Sequence, residues 1–169
     1  MLQILARRRV ALGFVTAAAV LILAHPSWVT WRAGLLVALA GEGVRFWAAG
    51  HLEKSREVTR SGPYRWMRHP LYAGSTIVAL GIVIASRSAV VGVLTPLYMA
   101  ATLTAAIRTE EAFLRTAFGD EYDRYRDSNA EPMRRRFSVA RAARNREYRA
   151  VAGLVAGFAL LALKARASL

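Results

Sequence analysis

The chain has no cysteine among its 169 residues. That excludes a disulfide framework, a thiolate nucleophile and any cysteine metal site, and it leaves the redox compartment unread. Histidine is almost as scarce, with three copies, and no two stand at the i, i+4 spacing of a helical zinc site. No metal centre is expected. Neither a glycine-rich phosphate loop nor a G-x-S-x-G elbow occurs. Acid is short as well: 11 Asp and Glu face 24 Lys and Arg, for a net charge of +13. Such an excess could suit nucleic acid, but the cations flank apolar runs and no nucleic-acid-binding module is recognisable, so that partner is not expected.

What the chain does have is apolar bulk, 55% of its residues, with a positive mean hydropathy. Five runs, roughly 10–24, 28–50, 71–85, 89–107 and 150–163, have the composition of membrane helices. The expected fold class is all-α: a polytopic integral membrane protein with about five transmembrane helices and short cytoplasmic helices, forming one domain over residues 1–169. The first run follows Arg7, Arg8 and Arg9 like a signal peptide, but no convincing cleavage site precedes His25-Pro26, so it reads as a retained span. The first, third and fifth runs are short and need local bilayer thinning or snorkelling. His25-Pro26-Ser27 and Ser86-Arg87-Ser88 are tight connections, which makes two helical hairpins. Nineteen Lys and Arg fall on one side of these spans and four on the other. By the positive-inside rule the N-terminus and both long polar segments are cytoplasmic and the C-terminus lies across the membrane.

Within this apolar chain, residues 62–74 concentrate turn formers, cations and aromatics. Gly62-Pro63 forces a turn, and Pro70 starts a helix where its missing N–H costs nothing. Arg68 and His69 then stand beside the unpaired amides of that helix, a setting that favours an anionic ligand group. An interfacial histidine is the bland alternative, and His25-Pro26, without an acidic partner, is assigned to turn geometry. Glu110-Glu111 form the second candidate. They lie at the cytoplasmic end of the fourth run, and the intervening hairpin brings them to the same membrane face as His69. Two acids at a helix C-terminus oppose the macrodipole, so stability alone gives no reason for them. Glu42 and Arg45, three apart in the second run, read either as a structural clamp or as part of a cavity wall. His51, Lys54, Arg56 and Glu57 are expected to form a solvated or interfacial loop. Gly119 is a helix stop, Asp120 a cap for a short helix bearing Tyr122 and Tyr125. Residues 134–149 hold seven arginines and one acid, Glu147; this stretch is expected to lie along the anionic leaflet.

The run from Thr59 to Gly74, T-x-S-G-P-Y-x-x-x-R-H-P-L-Y-x-G, is followed by Glu110-Glu111 and by Phe118-Gly119-Asp120-Glu121-Tyr122-Asp123-Arg124-Tyr125. Three motifs in this order, within residues 40–130, resemble the isoprenylcysteine carboxyl methyltransferase and phospholipid methyltransferase superfamily. The resemblance implies an integral membrane enzyme that takes S-adenosylmethionine from the cytosol. It implies that Tyr64, His69, Pro70, Leu71 and Tyr72 line that cofactor, that Gly74 allows close helix approach, and that Glu110 and Glu111 bind its ribose hydroxyls or ammonium group. Val58 and Thr59 match a cofactor-contacting stretch of the family, and Arg108 lies near an arginine that holds the acceptor carboxylate. The last run, about 150–163, falls outside the core motif. A carboxylate acceptor needs only alignment and a cation, whereas an amine must lose a proton, for which His69, Glu110 or Glu111 are the nearest bases; a carboxyl acceptor held by Arg108 is the favoured of the two. The expected partners are a lipophilic acceptor and membrane lipids, in a bacterial inner membrane. The alternatives are a sterol-reductase-like, NADPH-dependent membrane oxidoreductase and a non-catalytic membrane scaffold.

Overall fold

The structure is a computed structural model that describes residues 13 and 15–167. Seven helices occur among them: α1 (15–23), α2 (Trp28–Ala49), α3 (Pro70–Ser86), α4 (Ala89–Phe118), α5 (Asp120–Arg126), α6 (Val139–Arg144) and α7 (Glu147–Ala167). A 3-10 turn covers Gly62–Arg65, and no strand is present among the described residues. The all-α expectation holds. Residues 10–12 and 14 of the first expected span lie outside the described residues.

Local chemistry sets the helix ends. Ser27 and Thr30 form a reciprocal capping box at the start of α2. Pro70 opens α3, and Arg87, in the left-handed region at φ 49°, closes it. Ser88 caps α4 through the Val91 amide. Asp120 does not cap α5 as expected: it is the first helical residue, and the cap position belongs to Gly119 at φ 47°.

Of the five expected spans, α4 and α7 are long and apolar enough to cross a membrane, while α3 is apolar but shorter. Helix α2 falls below that hydropathy because it carries Arg32, Glu42 and Arg45. The apolar windows of α4 and α7 are only 17% and 22% buried inside the protein. A soluble protein's core helix would be mostly buried; here Val93, Leu97, Val155 and Leu163 are each at least 60% exposed, an apolar exterior that needs a nonaqueous neighbour.

Small residues join α2 to α3. A Cβ added at Gly74 would lie 2.7 Å from the Gly41 carbonyl, and one added at Gly81 would lie 2.5 Å from the Gly34 carbonyl. Backbones this close are how helices associate where apolar burial gives no drive. Around Ala38 and Ala85, Leu154, Phe158 and Leu161 of α7 complete a buried cluster. Trp31 Nε1 donates to the Phe158 carbonyl at 2.9 Å, and Lys164 donates to the carbonyls of Leu21 and Ile22 at the end of α1. The last helix is therefore packed into the bundle rather than appended to it.

Candidate active site

The hairpin of α3 and α4 brings the two motifs together. His69 Nε2 lies 3.0 Å from Glu111 Oε1, and the Tyr72 hydroxyl donates to Glu110 Oε2 at 2.7 Å. Arg68 adds a charge contact to Glu111 at 3.4 Å. Burial pulls the Glu111 carboxyl up, but the His69 hydrogen bond and the charges of Arg68 and His69 outweigh it and hold the group below its usual range. From the other side, Tyr125 donates to the Tyr64 carbonyl at 2.8 Å and Arg60 pairs with Glu121 at 3.2 Å, which fixes the 3-10 turn against α5. Burial and Glu110 push the Tyr64 hydroxyl pKa up, and burial and Tyr122 push Tyr125 to about 12, so both stay protonated.

These groups surround a cavity of about 820 Å³. Along α4 it runs from Tyr98 to Leu114, about 24 Å at the helical rise. It thus opens among the polar loops and continues between helices toward the apolar interior. Eight of the expected residues line it: Val58, Thr59, Tyr64, His69, Pro70, Leu71, Tyr72 and Glu110. Glu111 does not; it sits behind His69 and orients the ring. Arg108 is exposed and also does not line the cavity; the Lys and Arg residues that do are Arg45, Lys54 and Arg68. Arg45 donates to Ser75 Oγ and contacts Glu42 and Glu147 at 3.4 and 2.8 Å.

The loop after α2 differs from its expectation. His51 is buried, with Nδ1 3.1 Å from Ser61 Oγ, and a Cβ on Gly62 would strike its ring. Burial, then the charges of Arg141 and Arg135, lower the His51 pKa. Glu57 is not simply solvated, because Arg135 grips both its oxygens at 2.5 and 2.6 Å. Thr59 Oγ1 accepts from the Glu53 amide and donates to Glu57, so the grip extends to the expected cofactor stretch. Arg141 donates to Glu53 and to the Gly50 carbonyl, and Asn145 donates to the carbonyls of Ala49 and Leu52. The arginine-rich stretch, expected to lie along a leaflet, caps α2 and holds the loop that walls the cavity. Arg134, Arg136, Arg146 and Arg149 remain exposed. The sequence reading missed Arg135, Arg141, Asn145 and Glu147 as site-building residues. The signal available for the last was its place as the only acid in a run of seven arginines.

The residues present fit a methyl donor on their own chemistry. Carboxylates, tyrosines and a histidine converge on a cavity of ordinary ligand size. His69 Nδ1 is buried without a hydrogen-bond partner, an atom that a bound hydroxyl or ammonium group can satisfy.

Comparison with known proteins agrees with this arrangement. Cobalt-zinc-cadmium resistance protein CzcN of Cupriavidus metallidurans is 36% identical over 127 residues, covering 69% of this chain and 58% of that protein. Nickel-cobalt-cadmium resistance protein NccN of Alcaligenes xylosoxydans xylosoxydans is 31% identical over 133 residues, 72% of this chain and 62% of its own length. Protein-S-isoprenylcysteine O-methyltransferase of Schizosaccharomyces pombe is 34% identical over 87 residues, 52% of this chain and 37% of that protein. The chain thus spans less than two thirds of the length of each. No solved structure matches it. Residues 14–121 match the phospholipid methyltransferase family, and that stretch holds both motifs that meet at the cavity: the chain belongs to this family, within the superfamily that includes the isoprenylcysteine carboxyl methyltransferases.

Proposed function

We propose that the protein is an S-adenosylmethionine-dependent membrane methyltransferase acting on a carboxyl or amino group of a lipophilic acceptor. The observation that carries this reading is the meeting of His69 with Glu111 and of Tyr72 with Glu110 at one cavity, across a helical hairpin. The donor, when bound, supplies an electrophilic methyl group on a sulfonium. Glu110, with Tyr72 fixing its carboxylate, offers acceptors for ribose hydroxyls or an ammonium group, and the His69 ring, held by Glu111, lines the same space. Tyr64, Pro70 and Leu71 supply the apolar walls. Val58 and Thr59, kept in place by the Arg135 grip on Glu57, close the cytoplasmic side and exclude water. The part of the cavity along Tyr98 and Thr102 leads toward the apolar layer and suits entry of a lipid-like acceptor. Displacement at a methyl group demands alignment above all: Pro70, Leu71, Tyr72 and Glu110 are set on helices, and the loop bearing Val58 and Thr59 is tied down by Arg135 through Glu57.

Residues 122–169 belong to the same working domain, since Arg135, Arg141, Glu147 and Phe158 all pack onto α2 or its loop. Five spans in a bacterial inner membrane, with the site facing the cytosol, remain the topology that best suits the charge distribution. Arg108 can hold an acceptor carboxylate only from outside the cavity wall.

The test is titration of detergent-purified protein with S-adenosylmethionine, S-adenosylhomocysteine and NADPH, followed by transfer of labelled methyl groups into a lipid extract. Binding of the methyl donor and its product, lost in Glu110→Ala or His69→Ala, is expected. Binding of NADPH alone, or of none of the three, overturns the reading.

A further inference from the structure

A second cavity, of about 490 Å³, lies between the 3-10 turn and the segment that follows α5. Tyr64, Arg68 and Tyr125 line both cavities and form the partition between them. Arg60, Arg65, Arg68 and Arg126 line the second one, and no Asp or Glu does among the described residues. Their pairing is uneven. Arg126 is spent on Asp123 and Asp127, at 3.0 and 2.8 Å. Arg68 meets Glu111 as a charge at 3.4 Å, without a hydrogen bond among the described residues. Arg60 reaches Glu121 through one terminal nitrogen, and its Nε is buried with no partner. Arg65 is exposed and makes no ion pair or hydrogen bond among the described residues. Three guanidinium groups at one cavity thus keep N–H donors to spare, which an anion with several oxygens can satisfy.

Beside these cations stand two apolar side chains, Trp66 and Met67, which line the same cavity and are 70% and 43% exposed. Trp66 packs against Trp47 in the last turn of α2, with ring centroids 5.6 Å apart. An exposed tryptophan pair at the end of an apolar helix marks the level where a bilayer meets water. The cavity therefore opens at headgroup depth, with cations for a phosphate and apolar surface for the start of an acyl chain. We infer that Arg60, Arg65 and Arg68 hold the phosphate of an anionic membrane phospholipid, flanked by Trp66 and Met67, and that this lipid is a resident of the fold rather than the methyl acceptor. The partition of Tyr64, Arg68 and Tyr125 stands between it and the donor motif. Inorganic phosphate shares the charge but gains nothing from the apolar rim. A zwitterionic headgroup would bring an ammonium group against three arginines. The site goes beyond the methyl-transfer reading and rests only on the protein's place in a membrane.

The experiment uses the full chain in a neutral maltoside detergent. Phosphatidylglycerol and phosphatidylcholine with the same acyl chains are titrated against wild type, Arg65→Gln and Arg136→Gln, bound lipid is counted by native mass spectrometry, and inorganic phosphate is added as a competitor. Arg136 is exposed and lines neither cavity, so it reports the general field. Phosphatidylglycerol is expected to bind at least about 10-fold more tightly than phosphatidylcholine; Arg65→Gln should cut its affinity about 5- to 30-fold and Arg136→Gln less than about twofold. The net charge of +13 draws any anion, so the contrast between the two arginines is what identifies a built site. Equal losses in the two variants overturn the inference, as does phosphatidylcholine bound as tightly, or inorganic phosphate that displaces the lipid at equal concentration. Trp66→Ala serves where Arg65→Gln does not fold: it should weaken the lipid at least about threefold, and an affinity equal to wild type overturns the inference. S-adenosylhomocysteine binding, read in the same samples, should be kept throughout; its absence from wild type would sink the methyltransferase reading and leave the lipid site standing.

Discussion

Gly81→Ala tests the helix pair on which the site is mounted. The added Cβ would lie 2.5 Å from the Gly34 carbonyl, 2.6 Å from the Ala38 nitrogen and 2.8 Å from the Ala38 Cβ. Two of these are backbone atoms that cannot swing aside, so α2 must back away until the contacts reach ordinary van der Waals distance, at least 3.4 Å. A radial gap of about 0.5–1 Å forfeits a quarter to a half of the attraction between facing atoms, and overpacking of this kind costs about 1–3 kcal/mol. Gly153 and Gly157 on α7 are the controls. An added Cβ at either meets nothing within 4 Å, and alanine there gains up to about 1 kcal/mol of helix propensity. Thermal denaturation in detergent, followed by loss of monodisperse protein, should rank Gly81→Ala well below wild type and Gly157→Ala level with or above it. Equal midpoints for the two variants would refute the close-packed α2–α3 interface and, with it, the account of how Arg45 is set against Ser75.

Other perturbations probe the site itself. Glu111→Gln removes the charge that holds His69 and Arg68; donor affinity measured by calorimetry should fall about tenfold, as for loss of a charge-assisted hydrogen bond, and an unchanged affinity would deny Glu111 its orienting role. Arg135→Ala frees Glu57 and the loop carrying Val58 and Thr59, so amide exchange across 53–59 should quicken and donor binding weaken; protection equal to wild type would show that the grip is idle. Arg108→Ala should leave the acceptor KM within about threefold, as for an exposed position, whereas a rise of tenfold or more would return the acceptor role to that residue. His51 has a lowered pKa, so its unfolded form protonates first: stability is fully present above its ordinary value of 6.5 and is lost as pH falls toward the depressed folded value. His51→Gln should flatten that slope in pH-dependent melting, and an identical slope would move the acid sensitivity elsewhere.

How much of this was legible in advance follows from which interactions are local. Pro70 opening α3, Gly62-Pro63 turning the chain and Gly119 ending α4 are decided within a few residues, and each was readable. The meeting of His69 with Glu111 was readable because a tight turn at Ser86-Arg87-Ser88 forces the two helices into a hairpin. Arg135 with Glu57 and Asn145 with Ala49 were not, since these partners lie 78 and 96 residues apart and nothing in the pattern of an arginine run says which acid each cation will find. Arg108 shows the same limit at short range: it stands two residues before Glu110, which on a helix turns it about 200° away, and the cavity lies on the side of Thr109 and Glu110.

The arginine grip on the loop after α2 also has a consequence for the order in which the protein can be made. The small-residue contacts of α2 with α3 need only residues up to 86, so that hairpin can form as soon as it is inserted. Glu53, Glu57 and the exposed carbonyls at the end of α2 must wait for partners that are synthesised about 80–90 residues later. Until Arg135, Arg141 and Asn145 emerge, Glu53 and Glu57 in the loop that walls the cavity lack these partners. The pocket is thus completed only after both motifs are in place, and a chain that stops short of residue 134 would hold both motifs without holding a site.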